Sequence, residues 1–344
     1  MTQSDRPLAR RTLIKSAGLG LGAGLVSQLS TGTAKADEAK AADAEIWSNE
    51  YWAQKGDVKL AMFRKRAGAP KAGEKPLPVL FLVHGSSISS RPTFDLTVPG
   101  KGEYSTMNVF ARYGFDVWTM DHENYGRSSR TSGNSDIASG AEDLKVGVEL
   151  IARETGQQKA HFLGESSGAL RAGAYAMVKP ERVDRLVLCA FTYKGENSPT
   201  LAKRAEQVAY FRTHNMRLRD RAMILSISTR DKAGTSEPET MQALADAELK
   251  FGDQAPTGTY LDMTANLPVV DPKKVKAPVL MIRGEHDGIA SMEDLWAFYK
   301  ELPTGDRQFV VLPGIAHSLV LATNRQLFWH ATRDFLTMPP ALVT

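Results

Sequence analysis

The chain has 344 residues, of which 42% are hydrophobic, and it contains one cysteine, 43 basic and 39 acidic residues. One cysteine excludes an internal disulfide, and because no cluster of Cys and His residues has metal-ligand spacing, we expect no metal. Residues 1–36 hold five of the basic residues and one of the acidic ones, so the remaining chain holds 38 of each sign and gives no reason to expect binding to nucleic acid or anionic membranes.

The N-terminal residues predict export. Arg10 and Arg11 resemble the arginine pair of a twin-arginine signal, and a mildly apolar stretch and an Ala-Lys-Ala cleavage site ending at Ala36 follow them. The apolar stretch is too short and too glycine-rich to span a membrane, and its glycines lack the preceding strand and register of a dinucleotide-binding loop. We therefore expect no stable membrane insertion and no cofactor. We predict a signal peptide over residues 1–36, the twin-arginine export machinery as a partner, and a mature protein in the periplasm or secreted; the general secretory route is the alternative.

The first predicted core strand ends in a His-Gly pair. Residues 78–83 form a continuous apolar run, which is typical of a buried parallel strand. The loop over residues 86–94 follows the pair and should line the site, so we take Arg91 and Phe94 as candidate substrate contacts. Arg91 could equally point to solvent. The next strand is predicted over residues 115–121.

A Gly-Glu-Ser-Ser-Gly sequence at residues 164–168 follows a further strand and precedes a run of small helix formers. A nucleophilic serine in a tight strand-to-helix turn needs small residues two positions before and two after it, because it crowds its neighbours. Glycines stand at these positions for Ser166, whereas Ser167 would have Glu165 and Ala169 there. Ser166 is therefore the predicted nucleophile, although a glycine-serine turn without function has the same sequence.

A stretch of about eighty residues in the second half of the chain contains no strong strand pattern. We predict a helical cap over residues 193–270, inserted between core segments 37–192 and 271–344. Its many charged residues are typical of solvated helix faces. Tyr210 and Phe211 are candidates for the ceiling of a substrate pocket, although burial inside the cap explains such aromatic residues equally well.

Two further predicted strands are each followed by a loop with a titratable residue. Residues 279–284 precede Asp287, and residues 309–313 precede His317. A serine hydroxyl needs a base to take its proton, and the base needs a carboxylate to fix its tautomer. Among the seven histidines, His317 is the one in a loop directly after a strand and downstream of the acid. Other carboxylates that could supply the acid are Glu285, Asp262 and Asp271.

Together these motifs resemble the α/β-hydrolase family over most of residues 50–340. The His-Gly pair, the serine turn and the chain order serine, acid, histidine carry the resemblance. The turn after Asp121 is similar to the D-x-x-G-x-G-x-S turn of that family, with Asn124 at a glycine position; asparagine tolerates positive φ better than most residues. The resemblance implies an oxyanion hole built from the backbone amides of Ser86 and Ser167.

Strand and helix patterns alternate along the core segments. This alternation predicts an α/β fold, with a mostly parallel central sheet covered by helices on both faces, and the resemblance adds the helical cap as an insertion. The predicted core helices are residues 104–113, 137–154, 167–178, 291–302 and 324–336.

The sequence thus predicts an exported serine hydrolase that cleaves a small-molecule carboxylic ester through an acyl-enzyme on Ser166, with Asp287 and His317 completing a triad. The same residues could act on an amide or peptide, a lactone or a carbon–carbon bond, because fold and triad are common to these chemistries. The resemblance requires aspartate for dehalogenase or epoxide hydrolase chemistry, and a serine argues against both. A non-catalytic binding protein is the least favoured alternative, because all three triad residues are present.

Overall fold

The structure is a computed structural model and describes residues 45–339, so the predicted signal peptide over residues 1–36 lies outside the described residues. Within residues 45–339, no helix combines the length and the apolar character that crossing a bilayer requires. The strands are β1 (Ile46–Lys55), β2 (Val58–Ala67), β3 (Val79–Val83), β4 (Asp116–Met120), β5 (Ala160–Glu165), β6 (Val183–Cys189), β7 (Met216–Leu218), β8 (Gln254–Pro256), β9 (Val279–Gly284) and β10 (Arg307–Leu312).

The α-helices of the same part of the chain are α1 (Ser90–Phe94), α2 (Thr106–Arg112), α3 (Ile137–Thr155), α4 (Ser167–Val178), α5 (Pro199–Ala205), α6 (Val208–Thr213), α7 (Arg221–Ser226), α8 (Pro238–Glu248), α9 (Gly258–Leu261), α10 (Met292–Glu301) and α11 (Arg325–Thr337). Short 3-10 turns cover Pro180–Arg182, Leu249–Phe251 and Pro272–Lys274, and a π-helical turn covers Asp262–Asn266. The predicted core helices agree with the observed ones to within two residues at each end.

The central sheet has the strand order β1-β2-β4-β3-β5-β6-β9-β10. Strand β2 pairs antiparallel with both β1 and β4. All other neighbours in the sheet pair parallel. This arrangement confirms the predicted mostly parallel sheet.

Helices cover both faces of the sheet, which explains the continuous apolar runs of its central strands. All five residues of β3 are buried. Because side chains alternate across a strand, Val79 and Phe81 join the core cluster that contains Leu144 of α3, whereas Leu80 joins the opposite cluster with Phe110 of α2. A strand buried on both faces has no polar side, and its sequence therefore shows no alternation.

The turn after β4 is held by side-chain hydrogen bonds. Asn124 adopts a φ of +68°, in agreement with its assignment to a position where a glycine is usual. Its side chain donates to the carbonyl of Gly133 at 2.7 Å and accepts from the amide of Thr131 at 2.7 Å. Asp121 accepts from the amide of Arg127 at 2.9 Å, so this carboxylate holds the turn.

Residues 193–270, for which we predicted a helical cap, lie between β6 and β9 and are called the inserted segment below. They contain helices α5 to α9 together with an antiparallel two-stranded sheet of β7 and β8. The periodicity did not indicate these strands, because three residues are too few for an alternating pattern to be recognised.

Candidate active site

The predicted nucleophile, acid and base all follow the carboxyl ends of parallel strands. Ser166 comes directly after β5, Asp287 lies in the loop after β9, and His317 lies in the loop after β10. Because β5, β6, β9 and β10 run parallel to one another, these loops emerge at one edge of the sheet. The fold therefore brings together three residues that are far apart in the sequence.

Ser166 occupies the turn between β5 and α4. Its φ is +59° and its ψ is −124°, a backbone region that residues with side chains disfavour. A Cβ added at Gly168 would collide with the carbonyl oxygen of Val83. One added at Gly164 would lie 2.5 Å from the amide nitrogen of Ala169. Gly164 is therefore needed for β5 and α4 to meet this closely at the serine, and Gly168 is needed for α4 to approach the end of β3.

A chain of hydrogen bonds connects the three residues. Nε2 of His317 lies 3.0 Å from Oγ of Ser166, and Nδ1 of His317 lies 2.9 Å from Oδ1 of Asp287. Asp287 is 4% exposed and His317 is 7% exposed. The same oxygen of Asp287 accepts the amide of Ile289 at 2.9 Å, which holds the carboxylate in place. A base of this orientation can take a proton from the serine while the carboxylate stabilises the imidazolium.

The alternative acids from the sequence analysis bind elsewhere. Glu285 accepts from an amide in the loop after β10 at 2.9 Å. Asp262 accepts from the first amide of α3 at 2.8 Å, and Asp271 caps the short helical turn that follows it at 3.0 Å. Asp287 is thus the predicted acid that contacts His317.

The two residues predicted for the oxyanion hole lie next to each other. The hydroxyl of Ser86 donates to the hydroxyl of Ser167 at 2.8 Å, so the Ser167 side chain is engaged away from His317. Ser167 is the first residue of α4, and its amide therefore has no acceptor within that helix. The hydroxyl of Tyr125 donates to the carbonyl of Ser86 at 2.8 Å and orients the adjoining peptide.

Two buried carboxylates anchor the loop after Ser86. Asp121 accepts from the amide and the hydroxyl of Ser90 at 2.8 and 2.6 Å. Glu248 of α8 accepts from the amide and the hydroxyl of Ser89 at 3.0 and 2.5 Å, and it forms an ion pair with Arg219. Burial raises the pKa of Glu248 to about 7, against the opposing charge of Arg219. The inserted segment therefore holds the loop that follows the predicted oxyanion residue.

Two other histidines lie near the site but have structural roles. His84 bonds the carbonyl of Gly85 through Nδ1 at 2.8 Å and accepts the amide of His122 through Nε2 at 3.1 Å. His122 contacts Asp143 at 3.1 Å. Burial lowers the pKa of both imidazoles well below the ordinary value, so they stay neutral.

A cavity opens at the Ser166 hydroxyl. The core contributes His317 and the loop that begins at Ser86, and the inserted segment contributes Arg204, Ile227, Arg230 and Leu244. The charge pattern of the inserted segment predicts solvated helix faces, and it therefore did not identify Arg204 and Arg230 as residues that line the cavity. No local pattern distinguishes an arginine over a cavity from one in solvent.

Arg91 and Phe94, the substrate contacts predicted from the loop, lie away from this cavity. Arg91 forms an ion pair with Glu50 at 3.1 Å and lies over the ring of Phe63 at 4.0 Å. Phe94 is fully buried in the core beneath the loop. The loop turns into α1 after Ser89, and this turn directs both side chains away from Ser166.

Tyr210 and Phe211, the predicted pocket ceiling, are also absent from the residues that line the cavity. Tyr210 is 41% exposed, stacks on His214 at 4.0 Å and donates to the carbonyl of Met216 at 3.0 Å. Phe211 is buried against the ring of Tyr260, at a centroid distance of 5.6 Å. Both therefore stabilise the inserted segment itself, which was the alternative for these aromatic residues.

Asp231, in the inserted segment, is a second carboxylate close to His317. Asp231, Asp287 and His317 each offer one ligand atom, and these atoms lie within 4.8 Å of one another. Arg230, however, donates to both oxygens of Asp231 at 2.8 and 2.7 Å, and the other two residues bind each other. We therefore assign these atoms to hydrogen bonds and assign no metal to them.

Glu165 precedes the predicted nucleophile and lines the same cavity. It is 8% exposed, and its Oε1 has no hydrogen-bond partner among residues 45–339. Burial raises the pKa of the Glu165 carboxyl to about 8. The side chain is therefore mostly protonated and uncharged at neutral pH, which keeps negative charge away from the site where an oxyanion would form.

We expect this carboxyl to make stability fall with rising pH. Between pH 4.5, the ordinary pKa of a glutamate, and about pH 8, the pKa of Glu165 in the folded protein, the folded protein holds a proton that the unfolded chain releases. The stabilisation by this proton is therefore complete below pH 4.5 and is lost as pH rises through 8. Urea unfolding measures the free energy of unfolding at pH 5 and at pH 9. The fall between these two pH values should be smaller in Glu165→Gln than in the wild type, by roughly a few kcal/mol. Glu142→Gln, at an exposed position of α3, is the matched control. Identical pH dependence of wild type and Glu165→Gln would contradict the expectation.

Comparison with known proteins agrees with the fold. E-2-(acetamidomethylene)succinate hydrolase superposes with a TM-score of 0.61 at 19% identity, covering 85% of this chain and 100% of that one. The carboxylesterase CesB of Bacillus subtilis superposes with a TM-score of 0.60 at 18% identity, covering 88% of this chain and 96% of that one. Identities this low support the fold alone.

A curated relative and a family model extend the comparison to sequence. The 2-hydroxy-6-oxononadienedioate/2-hydroxy-6-oxononatrienedioate hydrolase of Paraburkholderia phymatum is 27% identical over 251 residues, which are 69% of this chain and 78% of that protein. A family model, the sheet, the superpositions and this relative together define an α/β-hydrolase enzyme. The chain belongs to the family described as serine aminopeptidase, S33, whose model matches residues 98–324.

Proposed function

We propose that the protein is a serine hydrolase that cleaves a carboxylic ester through an acyl-enzyme on Ser166. The observation that carries the proposal is the chain of hydrogen bonds from Ser166 through His317 to Asp287, at 3.0 and 2.9 Å. A serine held at positive φ in a strand-to-helix turn, with such a base beside it, is the arrangement of the nucleophile in α/β-hydrolases that act through an acyl-enzyme.

The proposed reaction has two halves. Oγ of Ser166 attacks the carbonyl carbon while Nε2 of His317 takes the hydroxyl proton, and Asp287 stabilises the imidazolium. The amides of Ser86 and Ser167 donate to the oxyanion, and collapse of the tetrahedral intermediate expels the alcohol, which takes the proton from His317. Water then attacks the acyl-enzyme by the same path, releasing the acid and restoring Ser166.

A second candidate is hydrolysis of a carbon–carbon bond. The substrates in the name of the Paraburkholderia phymatum relative have carboxylates, a hydroxyl and a ketone but no ester or amide, so their hydrolysis must break a carbon–carbon bond. The family description favours a third chemistry, cleavage of a peptide bond. The triad geometry is compatible with all three, because each passes through attack on a carbonyl.

The test is a substrate panel combined with active-site labelling. A fluorophosphonate probe should label the wild-type protein and Ser139→Ala, a control in α3, but not Ser166→Ala. The panel consists of p-nitrophenyl esters, anilides, lactones and a 2-hydroxy-6-oxo-dienoate, compared by kcat/KM. Absence of labelling at Ser166 would refute the serine hydrolase proposal. A higher kcat/KM for another bond type would identify that bond, and not the ester, as the one cleaved.

We also propose that the inserted segment acts as a cap over the site. Arg204 of α5, Ile227 after α7 and Leu244 of α8 line the cavity together with Ser166, which supports this role. A cap that contributes cavity walls would select the substrate while the core supplies the chemistry.

Export is the remaining part of the proposal. If Arg10 and Arg11 form a twin-arginine signal, replacing both by lysine should leave unprocessed, active enzyme in the cytoplasm. The expectation follows because no disulfide forms from the single cysteine, Cys189, so folding needs no oxidising compartment. Fractionation and N-terminal sequencing of both proteins are the measurements. Normal processing of the double-lysine variant would contradict the twin-arginine route, and wild-type cytoplasmic protein that retains residues 1–36 would contradict export.

A further inference from the structure

The cavity at Ser166 lies next to a larger cavity, called the outer cavity below, which several cationic side chains line. The two cavities meet at Ser87, Arg204, Ile227 and Arg230, which line both. The outer cavity is also lined by Lys203 and Arg217. A substrate that reaches Ser166 through the outer cavity must therefore pass a group of cationic side chains.

Two of the nearby arginines are already neutralised by carboxylates. Arg230 binds both oxygens of Asp231, and Arg219 forms an ion pair with Glu248. Asp231 is the one carboxylate among the residues described as lining the outer cavity, and its charge is therefore already compensated. In the cavity at Ser166, burial raises the pKa of Glu165 to about 8, so this carboxyl adds little negative charge at neutral pH.

Arg204 and Arg217 differ from these two arginines. Within residues 45–339, neither lies within ion-pair distance of a carboxylate, and Nη1 of Arg204 is buried without a hydrogen-bond partner. Both guanidinium groups pack against the ring of Tyr260, at 5.1 Å for Arg204 and 4.7 Å for Arg217. Tyr260 is itself fully buried, and its hydroxyl bonds Oγ of Ser87 at 2.6 Å.

Packing against Tyr260 fixes the position of Arg204, and the burial of Nη1 without a partner costs free energy that a bound ligand can offset. Burial lowers the pKa of Arg204 to about 10, so its guanidinium remains charged at neutral pH. Arg204 as a whole is partly exposed, but a buried donor without a partner, such as its Nη1, is destabilising unless an acceptor binds it. The planar guanidinium donates two parallel hydrogen bonds to a carboxylate, and an aromatic ring beneath it restricts its orientation.

We propose that the substrate carries a carboxylate that binds Arg204 where the two cavities meet, with Arg217 adding positive charge, while the scissile carbonyl lies at Ser166. This inference rests on the proposed function and names the substrate class of the same site. Arg204 is then a specificity residue contributed by the inserted segment, and Tyr260 is the residue that positions it.

The test compares esters that differ in one charge. The substrates are mono-4-nitrophenyl esters of glutaric and adipic acid, each with its distal carboxyl free or capped as a methyl ester. For wild-type protein, we expect kcat/KM to be higher for the free carboxylate of the better-fitting length by about 10- to 100-fold, because a hydrogen-bonded charge pair has that effect on transition-state binding. In Arg204→Gln, the ratio of free to capped ester should fall to within a few-fold of one.

Two further variants sharpen the result. Arg204→Lys keeps the charge but loses the two-pronged donor, and should give an intermediate ratio. Arg221→Gln removes an exposed arginine that pairs with Asp246 at 2.6 Å, and should leave the wild-type ratio unchanged. Because the ratio compares two substrates in one protein, partial unfolding of a variant cancels out.

A calorimetric titration with glutarate gives a readout that does not depend on turnover. Binding by wild type and its loss in Arg204→Gln would support the inference even if no ester is cleaved, and that outcome together with absent Ser166 labelling would overturn the proposed function alone. Equal kcat/KM for free and capped esters in wild type, or a ratio that Arg204→Gln does not change, would overturn the inference and leave the serine hydrolase intact.

Discussion

Ser166→Ala should lower kcat by on the order of 10⁴-fold or more, while the protein stays folded. The hydroxyl is the group that would form the acyl-enzyme, and no other hydroxyl is bonded to Nε2 of His317 among residues 45–339. The alanine removes one oxygen from a cavity wall and leaves Gly164 and Gly168 in place, so the turn itself should persist. Initial rates on the best ester of the panel, with circular dichroism as a check on folding, are the measurements.

The neighbouring serine provides the matched control. The hydroxyl of Ser167 accepts from Ser86 at 2.8 Å and does not contact His317, so Ser167→Ala should reduce the rate far less than Ser166→Ala. The backbone amide of Ser167, which we assign to the oxyanion hole, is unchanged by this substitution. Substantial activity in Ser166→Ala together with its loss in Ser167→Ala would show that the nucleophile is one position later.

Asp287→Asn should lower kcat by roughly 10⁴-fold, with little change in shape. An amide in place of the carboxylate can donate a hydrogen to Nδ1 of His317, which would leave the proton on Nε2 and direct it at the serine. The imidazole then cannot accept the proton of Ser166, and the imidazolium loses its counter-charge. Because Oδ1 also accepts the amide of Ile289 at 2.9 Å, thermal unfolding of the variant must be measured alongside its rate.

The variant Asp231→Asn tests whether Asp287 or Asp231 is the acid of the triad. Asp231 is a second carboxylate close to His317, and Arg230, its neighbour in the inserted segment, donates to both of its oxygens. Asp231→Asn should therefore disturb the hydrogen bonds of Arg230 within the inserted segment and cost much less activity than Asp287→Asn. Near-normal kinetics in Asp287→Asn, with a large loss in Asp231→Asn, would move the acid to the inserted segment.

The parts of the site that could be predicted are those governed by short-range contacts. The requirement for Gly164 arises from backbone atoms of residues 168 and 169 in the same turn, so the five-residue pattern contains it, whereas Gly168 is required by the carbonyl of Val83 at the end of the neighbouring strand β3. The buried strands also have a local signature, because a strand covered on both faces reads as an unbroken apolar run. Parallel strands then place Asp287 and His317 at the same sheet edge as Ser166. Their positions in loops after strands, in the order serine, acid, histidine, favoured them while leaving Glu285, Asp262 and Asp271 open as the acid.

The side chains that line the cavity were decided by tertiary structure. Arg91 and Arg204 are both arginines in polar segments, and nothing in the neighbouring residues separates them. Arg91 forms an ion pair with Glu50, 41 positions away on β1. Arg204 packs against the ring of Tyr260 and forms an ion pair with no carboxylate within residues 45–339. Periodicity reports which face of an element is apolar, but the partner of a charge depends on distances between elements, and these distances are set by packing alone.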